Sequence, residues 1–221
     1  MNPVLTRLIL KDVRLNLPLM SLMIIGGLLA LGVMLTGKIG YAVGGILYIT
    51  AQIAGGIFIG MYCIVQERKD QSNLFALSLP VSVRELSLVK YSAALMMYGA
   101  PWLVMSACTM SITLLKDSIP DGLVVYSVTL QLAFLALSYT YFAVISVSRS
   151  DAVAGFGILV LNMAFSLFMV WASQPAVRSP LETDAIVWPA TSILAIAVEL
   201  LLVAGSLVFG FVALSRRREA F

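Results

Sequence analysis

Residues 67–91 read ERKDQSNLFALSLPVSVRELSLVKY, from Glu67 to Tyr91, a charged and polar run inside an otherwise apolar chain. The stretches flanking it, Ile39 to Val65 and Tyr91 to Leu115, each have the length an α-helix needs to cross a hydrocarbon core of about 30 Å, about 20 residues. The run therefore separates two membrane spans.

Working outward, four more stretches pass the same test: Leu17 to Thr36, Leu123 to Val147, Ala152 to Ser173 and Trp188 to Leu214. Across all 221 residues 61% are hydrophobic and only 11% charged, which excludes an ordinary soluble domain. The apolar runs are unbroken and lack the alternation of barrel strands, so helices must satisfy the backbone in lipid. The expected fold is an all-α integral membrane protein, one transmembrane domain of six helices over residues 1–221.

Basic residues near the spans mark the cytoplasmic side. With the N-terminus inside, the inner segments hold Arg7, Lys11, Arg14, Arg68, Lys69, Arg84, Lys90, Arg149, Arg216, Arg217 and Arg218, eleven of the fourteen Lys and Arg. The outer connections keep Lys38, Lys116 and Arg178 beside Asp117, Asp121, Glu182 and Asp184. Both termini are expected in the cytoplasm, and the net charge of +3 is a topology signal, not a nucleic-acid footprint.

Residues 3–15 place Arg7, Lys11 and Arg14 on one helical face and Val4, Leu8 and Leu15 on another, the pattern of a helix lying in the bilayer interface. A plain basic flank to the first span is the simpler reading. That span is too long for a cleaved signal core and no A-x-A site follows it, so it is expected to remain as an anchor.

Several chemistries fall away. The chain has no His, which removes H-E-x-x-H zinc sites and Ser-His catalysis, and Cys63 and Cys108 lie within spans as packing residues. No catalytic residue, metal site or cofactor is expected in this chain. Gly32 to Lys38 spells G-x-x-x-x-G-K, yet Ile39 stands where Mg²⁺ needs Ser or Thr, and the strand–loop–helix context is missing.

The polar run carries a local code of its own. Asp70 to Leu77 can form a short helix with Asp near its positive end, and Pro80 stops it. Ser82, three residues before Glu85, forms a capping box that starts a second helix near Val83 and leads into the third span. Two capped helices between spans exceed what a membrane turn needs. Leu74 and Phe75 suit either lipid headgroups or a protein groove.

The Glu67-Arg68 pair, Leu-Ser-Leu-Pro-Val-Ser over Leu77 to Ser82, Arg84-Glu85 and Lys90-Tyr91 together resemble the ABC-2 family of bacterial ABC transporter permeases. The six-span plan and the basic N-terminal helix extend the resemblance over the whole chain. It implies a cytoplasmic coupling helix at Asp70 to Leu77 within the loop 66–90, seated in a groove of a separate ATP-binding subunit. Glu67, Arg68, Asp70, Gln71, Leu74, Phe75, Leu77, Pro80 and Arg84 would make that contact, with Phe75 and Leu74 as anchors, and Arg149 a smaller second one. It further implies a second permease subunit, as homodimer or heterodimer, ATP and Mg bound by the partner, no enzyme activity in this chain, and a place in the bacterial inner membrane as an exporter.

Within the spans, Glu199 is the candidate cavity residue, since a carboxylate at that depth is costly and faces a bundle interior or water. It fits substrate or proton handling, or a structural hydrogen bond. Ser127, Gln131 and Ser138 on the fourth span and Asn162, Ser166 and Ser173 on the fifth share i, i+4, i+11 spacing. Gln131 and Asn162 join Glu199 as substrate-pathway candidates, although interhelical hydrogen bonding explains both stripes more simply. Gly40 and Gly44, and Gly56 and Gly60, permit close helix approach. A stand-alone secondary transporter or channel using Glu199 is the alternative function, and an anchoring protein a third.

Overall fold

The computed structural model describes residues 3–66, 82–116, 119–148, 150–179 and 183–216. The expected ATPase-contact residues Glu67, Arg68, Asp70, Gln71, Leu74, Phe75, Leu77, Pro80 and Arg149 lie outside the described residues; Arg84 lies within them, exposed in the first turn of its helix.

Eight α-helices appear among the described residues: α1 (Pro3–Leu15), α2 (Leu17–Met34), α3 (Lys38–Gly60), α4 (Val83–Leu115), α5 (Leu123–Ser148), α6 (Asp151–Ala172), α7 (Pro175–Arg178) and α8 (Ala190–Ser215). A π-helical turn, Met61–Gln66, extends α3. All but α1 and α7 are long and apolar enough to cross a membrane, giving six spans in an all-α membrane protein. Leu35 and Gly37 after α2, Lys116, Ile119 and Pro120 after α4, and Ser173 and Arg178 after α6 line one cavity and so share one end of the bundle, the far end; the ends of α3 and α5 fall at the opposite end.

Local chemistry sets the joints. Gly37 turns α2 into α3 at φ 121°, a conformation that excludes a Cβ at little cost only for glycine. The G-x-x-x-x-G-K sequence is thus the joint of two helices and has no preceding strand. At the start of α4, Glu85 N–H donates to Ser82 Oγ at 3.2 Å and Ser82 N–H to Glu85 Oε2 at 2.9 Å, the reciprocal box read from the sequence.

α5 is the central post. It packs against α3, α4, α6 and α8, and 61% of its spanning window is buried against 17% for α6 and for α8. Small residues let the neighbours close in. A Cβ on Gly44 would stand 2.5 Å from Met34 N and one on Gly40 2.4 Å from Val33 O, so α3 rests on α2 backbone. A Cβ on Gly56 would stand 2.6 Å from Ser138 Oγ and one on Gly60 2.7 Å from the Tyr141 ring, so the absence of both seats the other half of α3 on α5.

Aromatic hydroxyls and an indole tie α4 to its neighbours through backbone carbonyls. Tyr98 donates to Phe134 O at 3.4 Å and Trp102 Nε1 to Gln131 O at 2.7 Å, while Tyr139 of α5 donates back to Leu95 O at 3.1 Å. Tyr91 donates to Ser206 O of α8 at 2.9 Å, its ring lying where a Cβ on Gly210 would come within 2.5 Å.

On α1, Leu5, Leu8, Ile9 and Val13 pack against the bundle core beside the buried Asp12, while Val4 and Leu15 are exposed. Asp12 is buried and its Oδ2 takes the Lys90 ammonium at 2.7 Å. A pair this sequestered leaves a costly unpaired charge when one partner is removed. Lys90 and Tyr91, adjacent in sequence, therefore bind α4 to α1 and to α8.

Candidate substrate cavity

Three spans converge polar groups in the far half of the bundle. α3 contributes Tyr48 and Gln52, one turn apart; α4 contributes Ser106 and Thr109; α5 contributes Gln131. Gln131 Nε2 donates to the Tyr48 hydroxyl and lies 3.4 Å from Thr109 Oγ1, while Gln131 Oε1 accepts from Ser106 Oγ at 3.2 Å. Gln52 Nε2 donates to the same Tyr48 hydroxyl at 3.2 Å.

A phenol has one proton and two lone pairs. With both lone pairs taken by amides, the Tyr48 proton must go to Thr109 Oγ1, 3.0 Å away. That assignment is consistent with Thr109 donating its own proton to Met105 O at 2.8 Å. The knot has one loose end among the described residues: Gln52 Oε1, on a side chain 1% exposed, has no partner.

On top of this knot sits a cavity of about 760 Å³, opening at the far end. Leu31, Met34, Ile46, Ile49, Ile112, Leu130 and Met169 supply apolar walls from five helices, α2 to α6. Tyr48, Thr109 and Ser127 supply hydroxyls, and Lys116 and Arg178 stand at the rim. Tyr48 lies ten residues into α3, about 15 Å below its start at 1.5 Å per residue. The arrangement is apolar in its walls, hydrogen-bonding at its base and cationic at its mouth.

The α7 turn closes one side of that mouth. Buried Val177 packs on Val125, Leu123, Tyr126 and Trp171, which carries Arg178 to the rim. Gly122 N–H donates to Thr183 O at 3.0 Å and holds the two far-end connections together.

The three substrate-pathway candidates fall in different places. Gln131 is 3% exposed and bonds to two cavity-lining residues, Tyr48 and Thr109. Glu199 is buried on the α8 face that also carries Ser192, Ser206 and Gly210, apart from the cavity walls, and its Oε2 has no partner among the described residues. Asn162 is exposed on α6 and donates to Ile158 O of its own helix at 2.9 Å. None of the three lines the cavity: Gln131 stands behind its base through Tyr48 and Thr109, and Glu199 and Asn162 lie elsewhere.

The sequence reading also missed Tyr48, Gln52, Ser106 and Thr109. The Tyr48–Gln52 spacing of four was the available signal, a second polar pair on one face of an apolar helix.

Six spans, five of them around one cavity, define a polytopic membrane protein. More particularly, residues 7–214 match the model of the ABC-2 family transporter proteins, and the chain belongs to that family. Comparison with curated proteins and with solved structures returned no match. Membership makes the chain a multi-pass permease component of an ABC transporter, a transport subunit rather than an enzyme, and implies an ATP-binding partner subunit.

Proposed function

We propose that this permease is the membrane subunit of an ATP-driven exporter in a bacterial inner membrane, with both termini cytoplasmic and a second six-span subunit beside it. The family match over residues 7–214 is the observation that carries this reading. ATP and Mg²⁺ belong to the partner subunit, which docks on the coupling segment at Asp70 to Leu77 and its flanks Glu67, Arg68, Pro80 and Arg84. Phe75 and Leu74 enter the partner's groove, Gln71 hydrogen-bonds at its edge, and Arg149 makes the lesser contact.

The shape of α4 supports a transmission route. It is one helix from the Ser82 cap to the Lys116 C-cap, 33 residues, or about 50 Å at 1.5 Å per residue. Arg84 stands at its docking end; Thr109 and Lys116 stand at the cavity. A tilt imposed at the first turn therefore reaches the cavity walls along one continuous helix, steadied at its base by the Lys90–Asp12 pair and interrupted in its hydrogen bonding at Pro101.

Co-expression with a cassette ATPase encoded alongside it should yield a stable complex that Phe75→Asp disrupts and Arg84→Ala only weakens. Transport by the purified chain in liposomes without any ATPase would overturn the reading. The orphaned Oε2 of Glu199 favours one competitor, a proton-driven transporter. That reading requires gradient-driven flux abolished by Glu199→Gln.

A further inference from the structure

We propose that the far-end cavity binds an anionic amphiphile, its apolar body between α3, α4 and α5 and its acidic headgroup against Lys116 and Arg178. As the class of molecule carried, this rests on the exporter reading; as a binding site it stands by itself.

Size comes first. Ligand pockets commonly enclose about 300–1,000 Å³ and are apolar with a few placed polar groups, and the cavity's 760 Å³ lies inside that range. Its long axis runs from the base at Tyr48 and Thr109 to the rim at Lys116, a depth of seven residues on α4, about 10 Å. A compact polar solute would leave Leu31, Ile46, Ile49 and Ile112 facing unpaired groups. An extended apolar body covers them.

Charge selects the head. Among the described residues, the Lys, Arg, Asp and Glu side chains that line the cavity are Lys116 and Arg178, on separate elements, the C-cap of α4 and the last turn of α7. Asp121 and Asp184, on the same end of the bundle, do not line it. Among the described residues Lys116 makes no ion pair. Guanidinium and ammonium at one rim suit a carboxylate or phosphate and repel a quaternary ammonium.

The base adds a neutral limit. Tyr48 has its lone pairs and proton committed, and Thr109 has donated to Met105 O, so the floor offers little to a charged group driven down to it. The head therefore stays at the rim.

The same chemistry could arrive from the bilayer as an anionic lipid or from water as a fatty acid or alkyl phosphate. The test uses the whole chain in phosphatidylcholine nanodiscs and a dansyl-tagged undecanoate, with its methyl ester and a trimethylammonium analogue as comparisons. Saturable binding is expected for the acid, weakened about tenfold by Lys116→Gln with Arg178→Gln, as two partly exposed ion pairs would predict. The ester should bind both forms equally, which also shows that the double variant is folded. Ile49→Trp, filling the cavity, should remove acid and ester alike.

Displacement of the probe when phosphatidylglycerol replaces phosphatidylcholine assigns the bilayer as source; displacement by soluble dodecyl phosphate alone assigns water. Non-saturable binding, or equal affinity for the acid and the trimethylammonium analogue, overturns the proposal. Neither result touches ATPase docking, which the Phe75→Asp complex reports separately.

Discussion

Two polar stripes with identical i, i+4, i+11 spacing end in opposite environments. Ser127, Gln131 and Ser138 on α5 are all buried, and Gln131 binds residues of two other helices. Asn162, Ser166 and Ser173 on α6 are all exposed, each bonded to a carbonyl three or four residues back in its own helix. Spacing fixes that residues share a face; it does not say what that face meets. A hydroxyl or amide in a helix can always retreat to its own backbone, so a membrane helix tolerates such a stripe with or without a neighbour. Interhelical bonding is seen at Gln131 on α5, while the side-chain bonds of the other triplet stay with its own backbone.

The sharpest way to break the contrast is at the contact that presses α3 onto the α5 stripe. Gly56→Leu places a side chain where even a Cβ would stand 2.6 Å from Ser138 Oγ, and should cost about 2–3 kcal/mol of stability, read as a lowered melting temperature in detergent. Gln131→Leu should come next, at about 2 kcal/mol, since bonds of this kind average about 0.6 kcal/mol each and several are lost together. It also strands the Tyr48 and Ser106 hydroxyls, so the double variant with Tyr48→Phe should lose less than the sum of the two single losses. Asn162→Leu on α6 should change stability by less than about 0.5 kcal/mol, because only a bond within one helix is removed. A loss at Asn162 matching that at Gln131 would mean that the α6 stripe meets a protein partner in the membrane.

The same contrast explains what the sequence could and could not reveal. Length and apolarity are summed properties, so the six spans were legible, as was the Ser82–Glu85 box, which depends on residues three apart. Which helix occupies the centre is not a local property. α5 carries polar residues among apolar ones, as α3 does, and only assembly shows that it touches four neighbours. The Asp12–Lys90 pair joins residues 78 positions apart, a contact that no local spacing carries. Glu199 was legible as buried, yet its burial on α8 keeps it out of the cavity. Tyr48 and Thr109 were hidden because single hydroxyls in a span are ordinary. Lys116 and Arg178 were read as loop charges, since nothing in the sequence says that α7 folds back beside α5.

The π-helical turn at Met61–Gln66 has a consequence for the direction in which the chain leaves the membrane. A π turn closes its hydrogen bonds one residue later than an α turn, so the segment holds a surplus residue relative to a regular helix. Each residue of an α-helix advances the azimuth by about 100°. Because the wider turn absorbs that surplus, deleting the exposed Tyr62 and restoring α register would leave the exit at Gln66 on nearly the same side of the helix axis, whereas the same deletion in a regular α-helical stretch would swing it by about 100°. The π turn therefore stores one residue of slack at the end of the span, and a single deletion there is taken up locally without re-aiming the exit.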